Sequence, residues 1–322
     1  VIGIKKQVLN SNKPKGSITV HSCCYFRLGD KIVSEAVIRD YQSRYPADWH
    51  IVVEMEDCIN SLSMRNVVKC DELWTISYDQ QRMRRSDFIE FYKNEIKRSG
   101  VKKAIIYHSG FLNDDPEIEI KRQCVFLEGE KLKKRSVFPN FNIDPGYIGW
   151  AQQHPLLRKI KKKHKFCFHF RNSNSANLRN LSFEHYIRFA DMLRNAYDCE
   201  IINIGGKEDL HQNYDRHGII DFARYNLSVG KTAAIMKLCD MFVGGETGTT
   251  MLASAIGQYV LAVGYVNRHA YPYTQRHKYS VLHKANNKEP ELHICKMFFD
   301  KLFQAKQINE AIPILRGVGS VR

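Results

Sequence analysis

Three short polar loops in the second half of this sequence carry residue types suited to an anionic ligand. Arg171-Asn-Ser-Asn174 follows the apolar run "FCFHF", Gly205-Gly-Lys-Glu-Asp209 follows "EIINI", and Gly244-Gly-Glu-Thr-Gly-Thr-Thr250 follows "MFV". Glycines let a backbone approach a phosphate, free N–H groups at a helix start donate to it, and threonine hydroxyls add donors. Together they suit a ligand bearing a diphosphate. The acid Glu246 stands among these glycines and threonines, directly before an apolar helical run. A carboxylate there either accepts from ligand hydroxyls or complements the helix dipole.

Several named motifs are missing. No G-x-G-x-x-G follows a strand, as a dinucleotide site requires, and no G-x-x-x-x-G-K-[ST] occurs. Gly230-Lys231-Thr232 resembles the end of such a phosphate loop but lacks its upstream glycine. No D-x-D is present to chelate a metal-bound nucleotide sugar. The nine cysteines are irregularly spaced, with no C-x-x-C, which fits scattered thiols in a reducing compartment and not a zinc site. We expect no metal and no cofactor. His21 and His169 fall in predicted strands and read as core or cleft histidines rather than catalysts.

The elements that must position these loops alternate. Strands are predicted at 17–26, 49–55, 70–77 and 101–109, with helices at 31–46 and 86–100. Residues 126–164, with Pro139, Pro145, Pro155 and two basic clusters, break the rhythm and read as an interdomain region. A second alternating set follows. Its strands are at 165–170, 199–206, 241–245 and 258–265, and its helices at 182–197, 232–239, 249–257 and 292–305. Ser182 caps the first of these helices, whose face is Phe183, Tyr186, Ile187, Ala190 and Leu193. Gly257 stops the third. In the last, Ile294, Met297, Phe298, Leu302 and Phe303 form a core face.

Alternation of this kind predicts an α/β protein of two doubly wound, Rossmann-like domains facing across a cleft, 1–150 and 151–322. The length of 322 residues suits two domains. In open parallel sheets ligands bind beyond the carboxyl ends of the strands, where the three polar loops fall.

The formal net charge is +15. Part of the excess sits in Lys131-Leu-Lys-Lys-Arg135 and in the run at 158–165, which reads either as a solvated face or as a positive rim beside an anionic ligand or membrane. The stretch "RHAYPYTQRHKY" at 268–279 mixes bases and aromatics, as nucleic-acid surfaces do, or covers a nucleotide base. A nucleic-acid-binding basic protein is thus an alternative reading, although no named nucleic-acid motif occurs and no nucleic acid is expected as partner.

"VGGETGTTMLASAIGQYVLAVGY", "NLSVGKTAAIMKLCDMFVGG" upstream of it, "CEIINIGGKEDL" before both, and "YFRLGDKIVSEAVIRDYQSRYP" near the start resemble, in order and spacing, the signature of family-nine glycosyltransferases, the ADP-heptose:lipopolysaccharide heptosyltransferase family. The resemblance runs over most of the chain. It implies the GT-B fold and an inverting, metal-independent transfer of a hexosyl or heptosyl group from a nucleotide sugar to a glycan or glycolipid acceptor. The N-terminal domain would hold the acceptor and the C-terminal domain the donor. The scattered thiols point to a cytoplasmic location, and the basic clusters to a peripheral contact with the inner face of an anionic membrane as one of their two readings.

Residue by residue, Asp30 matches the acid of the family's Leu-Gly-Asp loop, its proposed catalytic base; Asp30 can also cap the helix that follows. Arg179 falls where the family has a Lys that neutralises the leaving diphosphate. Arg171 and Asn172 lie where short polar residues reach the phosphate. Gly205 and Gly206 match the Gly-rich turn, and Lys231 the family's Gly-Lys segment. Glu246 matches the Asp of Asp-Thr-Gly, which contacts the donor sugar, and Thr247, Gly248 and Thr249 follow it. Two departures stand out. Glu246 is one methylene longer than the family's Asp, and Met251 replaces its His. A non-catalytic GT-B scaffold is the remaining alternative.

Overall fold

The computed structural model describes residues 3–12, 18–22, 32, 39, 42, 49–55, 68–77, 91, 94–95, 98, 104–109, 121–123, 140–169, 181–206, 214–265, 278–283 and 289–318. The chain divides into two compact units, Val1–Pro139 and Asn140–Arg322.

The first unit contains β1 (Gly3–Val8), β2 (Ile18–Ser22), β3 (Trp49–Met55), β4 (Glu72–Ser77), β5 (Ala104–Ser109) and β6 (Lys121–Gln123) in one sheet of order β1-β4-β3-β2-β5-β6. β1 joins the edge antiparallel to β4, and the other pairings are parallel. Trp49, Ile51, Val52 and Val53 of β3 and Leu73, Trp74 and Ile76 of β4 are buried. Such near-continuous apolar runs are what strands covered on both faces need. Glu72 is buried among them and accepts from both indoles, at 3.0 Å from Trp49 Nε1 and 2.7 Å from Trp74 Nε1. Those bonds offset the cost of burying the acid. Strand order reverses between β2 and β5, so a ligand crevice is expected beyond the end of β2.

The second unit contains β7 (His164–His169), β8 (Cys199–Asn203), β9 (Ile220–Asp221), β10 (Met241–Gly244), β11 (Val260–Tyr265) and β12 (Tyr279–His283), in the order β12-β11-β10-β7-β8-β9. Every pairing is parallel. Numbered within the unit this is 3-2-1-4-5-6, the dinucleotide-fold order. Its helices are α1 (Pro145–Gln153), α2 (Pro155–Arg158), α3 (Phe183–Ala196), α4 (Val229–Lys237), α5 (Gly248–Ala255) and α6 (Leu292–Val318). One face of the sheet, with Phe166, Phe168, Met241, Val243, Leu261 and Val263, packs into a core with Tyr186, Phe189 and Leu193 of α3 and Phe299 and Phe303 of α6. Against the rest of the sheet α5 packs on β10 and β11, and α4 packs on α5. Gln258 ties this side together, its amide donating to the carbonyls of Met236 and Cys239 at 2.7 and 2.6 Å.

Ser182 caps α3, and Gly257 at φ +75° follows α5, both as the sequence predicts. On α3 the buried face also includes Phe189. On α6 the expected apolar face needs correction. Cys295, Phe299, Leu302 and Phe303 are buried, whereas Met297 is 55% exposed.

The division between the two units falls inside the predicted interdomain region 126–164, and part of that region is regular structure. Residues 145–153 and 155–158 of this stretch are helical, because Pro145 and Pro155 stand at first helical positions, where the fixed φ helps and the missing N–H costs nothing. Asp144 caps α1 by accepting from Gly146 N at 2.7 Å. The compositional break puts the domain boundary at 150/151; the structure divides at Pro139/Asn140. Residues 140–150 go with the second unit because Phe141 N donates to Ala255 O at 3.0 Å and α1 packs on α4. At that contact a side chain on Gly230 would meet the Tyr147 ring at 2.4 Å.

His154 joins α1 to α2. Its Nδ1 accepts from Leu156 N at 3.3 Å, and its ring lies 4.9 Å from Phe222, 5.3 Å from Trp150 and 5.6 Å from Tyr225. Burial lowers its pKa from the usual histidine value. The neutral form is therefore the folded one, and its contribution to stability is present above about pH 6.5 and fades as pH falls below that. Protonation at Nδ1 would also remove the cap. We expect the urea midpoint to fall between pH 7 and pH 5. His154→Asn, which can still cap, should flatten that fall while lowering the midpoint at pH 7.

Candidate functional site

The second unit's strands run parallel, so their carboxyl ends share one edge. Register pairs Phe168 with Asn203, Asn203 with Asp221, and Gly244 with His169. The Gly205-Gly206 turn and the Gly245–Thr250 loop therefore leave the same edge of the sheet, on either side of the end of β7. The order reverses between β7 and β10, which makes their junction the switch point of this sheet. The apolar strands before each loop are what bring the loops to this edge.

At that junction β10 passes directly into α5. Thr247 is the helix cap, with its Oγ1 accepting from Thr250 N at 3.4 Å. Glu246 precedes the cap and is 8% exposed. Thr247 N donates to Gly245 O at 2.9 Å, and Thr250 Oγ1 donates to the same carbonyl at 2.5 Å. Ser254 Oγ donates to Thr250 O at 3.1 Å. A side chain at Gly244 would meet the Phe242 ring at 2.8 Å and Thr250 Oγ1 at 3.2 Å, so this position takes glycine for want of space. Among the described residues nothing accepts from the N–H groups of Gly248 and Thr249. They are the first two of α5, the groups a helix start offers to an anion.

His169, at the end of β7, reaches across the junction. Its ring is 4% exposed, and Nδ1 lies 3.1 Å from Thr247 Oγ1. The sequence reading of a satisfied histidine omitted this partner, because only strand order makes β7 and β10 neighbours. Nearby, Asn203 Nδ2 donates to Asp221 Oδ1 at 2.7 Å, and the same oxygen accepts from Ala223 N at 3.0 Å, which fixes the exit from β9. The far end of the loop after β7 is also held. Ser182 donates to Glu289 through its N–H and, at 3.0 Å, through Oγ, while His185 Nδ1 lies 3.2 Å from Glu289.

Among the residues singled out in the sequence, Gly205, Gly206, Glu246, Thr247, Gly248 and Thr249 lie at this edge. The first turn of α4 lies there too, because that helix carries the chain back to the start of β10. Its Lys231 places the ammonium over the Trp150 ring, 4.8 Å from the centroid. Asp30, Arg171, Asn172 and Arg179 lie outside the described residues, as do Lys131–Arg135 and most of 268–279. The exposed run Arg158, Lys159, Lys161, Lys162 and Lys163 precedes β7, at the opposite edge of the sheet, and so does not rim these loops. Lys162 there pairs with Asp198 at 2.9 Å. Among the described residues no group of three His, Cys, Asp or Glu side chains could hold a metal ion, and no helix is long and apolar enough to cross a membrane.

Most of the chain is similar in fold to solved glycosyltransferases. A family 9 glycosyl transferase from Veillonella parvula DSM 2008 matches with a TM-score of 0.64 at 14% identity, covering 92% of this chain and 99% of that one. The ADP-heptose LPS heptosyltransferase II of E. coli matches at 0.61 and 12%, over 89% and 99%. E. coli heptosyltransferase WaaC with ADP matches at 0.53 and 12%, over 88% and 99%. No family model matches the sequence, and no curated protein does. At these identities the likeness is one of fold, and the GT-B fold implied by the sequence motifs is the fold of this chain.

Proposed function

We propose that this protein is an inverting, metal-independent glycosyltransferase that moves a sugar from a nucleoside diphosphate to a hydroxyl of a glycan or glycolipid. The observation that carries this reading is the Gly245–Thr250 loop, with its two open N–H groups, at the switch point of a sheet in a GT-B chain. In this reaction Asp30 takes the proton of the acceptor hydroxyl as it attacks the anomeric carbon, and the diphosphate leaves from the opposite face. Arg179 neutralises the charge growing on the diphosphate, with the geometry of a planar guanidinium in place of an ammonium. Arg171, Asn172 and the Gly205-Gly206 turn line the diphosphate with Gly248 and Thr249. Glu246 accepts from donor-sugar hydroxyls. Lys231 contributes positive charge from the first turn of α4. No cofactor takes part. A peripheral contact with an anionic membrane belongs to this proposal, and the exposed bases at 158–163 are a surface that would make it.

The test is thermal unfolding with a panel of nucleoside diphosphates and their sugars. Ligand at 100 times its Kd stabilises the bound form by about 2.7 kcal/mol. For a unit of this size each kcal/mol moves Tm by about 2–4 °C. We expect a rise of several degrees with at least one member, and no rise with any member would overturn the reading.

A further inference from the structure

With the Thr247–Thr250 hydroxyl contact taken as a hydrogen bond, the groups around Thr247 have one consistent assignment of protons. Thr250 Oγ1 spends its proton on Gly245 O, 2.5 Å away. Its 3.3 Å contact with Thr247 Oγ1 is then a hydrogen bond only if Thr247 is the donor. Thr247 Oγ1 already accepts from Thr250 N, and with its own proton spent it can only accept again. The proton between it and His169, 3.1 Å away, must therefore come from Nδ1. The alternative, with Thr247 donating to a bare Nδ1, leaves two hydroxyl oxygens facing each other with no proton between them.

We infer that His169 is a positioning residue of the donor loop. It donates from Nδ1 to Thr247, which donates to Thr250, which donates to Gly245 O, a chain that runs one way across the switch point and holds the Gly245–Thr250 turn in shape. This inference rests on the donor-site reading and deepens it. The hydroxyls of Thr247 and Thr250 are consumed inside the loop, so the diphosphate is met by the N–H groups of Gly248 and Thr249 and by the Thr249 hydroxyl. His169 acts on affinity through the shape of the loop, because its contact with Thr247 adds a side-chain link to the backbone pairing of β7 with β10.

Two measurements test this. In the wild-type protein labelled with nitrogen-15 histidine, long-range proton–nitrogen NMR reports which ring nitrogen carries the proton. Nδ1–H is expected at His169, and a bare Nδ1 overturns the inference without any variant. Binding of ADP, GDP and UDP is then measured by calorimetry for His169→Asn, His169→Gln and His169→Phe, each checked for folding by thermal unfolding. The Asn amide sits where Nδ1 does and should keep affinity within about threefold. Phe and Gln, which lack a donor at that place, should lose about tenfold. In a Thr247→Val background, His169→Phe should cost nothing further, because the chain is already cut. Equal affinity of the Phe variant and the wild type overturns the positioning role. Failure of the wild type to bind any diphosphate instead overturns the donor-site reading, and the inference with it.

Discussion

Asp30→Asn is expected to lower turnover by about 10²–10⁴-fold, the usual worth of a positioned general base, while donor affinity stays within about threefold. Asn is the informative replacement because it has the size of Asp and caps a helix as well as Asp does. The competing role of Asp30, as cap of the helix that follows, is therefore preserved, and only the capacity to take a proton is removed. Donor affinity should be spared because the proposed diphosphate site belongs to the other unit. Single-turnover rates with the active nucleotide sugar, together with calorimetric donor binding, separate the two quantities. Unchanged turnover would show that another group takes the proton. Loss of donor binding would show that Asp30 serves the donor.

Glu246→Ala is expected to raise the donor KM about 10–100-fold, matching the loss of hydrogen bonds to a charged acceptor worth about 1.5–3 kcal/mol. Affinity for the bare nucleoside diphosphate should not fall. A carboxylate near a diphosphate repels it, so its removal is neutral or favourable for that ligand. The contrast between sugar-bearing and bare diphosphate is the readout. Equal weakening of both would mean that Glu246 shapes the loop, and no weakening of either would leave it without a part in donor recognition. The helix-dipole reading is less demanding of this residue now, because Thr247 supplies the cap and Glu246 stands one residue before it. Glu246→Asp, which restores the shorter acid of the resembling family, should shift preference among donor sugars. The side chain is 8% exposed, so one methylene changes what it can reach.

Much of this was legible from local pattern. The apolar runs at 165–170, 199–206 and 241–245 announce buried parallel strands, and the polar turns after them announce the ligand edge, because these features depend on neighbours in the chain. Ser182 and Gly257 mark helix ends for the same reason. The helices α1 and α2 were hidden, because Pro145 and Pro155 read as breaks unless they are known to stand at first helical positions. Short strands such as β9, and the edge strand β1, give too little periodicity to stand out. Met297 continues the spacing of Ile294 and Phe298 on α6 and is exposed, because the face that packs on the sheet is that of Cys295, Phe299, Leu302 and Phe303, on the other side of the helix.

By itself the sequence determined the alternation of elements, the class of fold, the loops that carry glycine, threonine and acid, and the ordered motifs that resemble a sugar-transferring family. These are written in residue types and in spacings along the chain. Only the tertiary structure decided which strands lie side by side. It made β7 the neighbour of β10, brought His169 to Thr247 across 78 positions of sequence, and sent the basic run at 158–163 to the far edge of the sheet. It also put the Thr250 hydroxyl on Gly245 O and left the N–H groups of Gly248 and Thr249 with no acceptor among the described residues. The physical reason is that hydrogen bonds and close contacts form between groups that packing brings together, and strand order in a parallel sheet is not strand order in the chain.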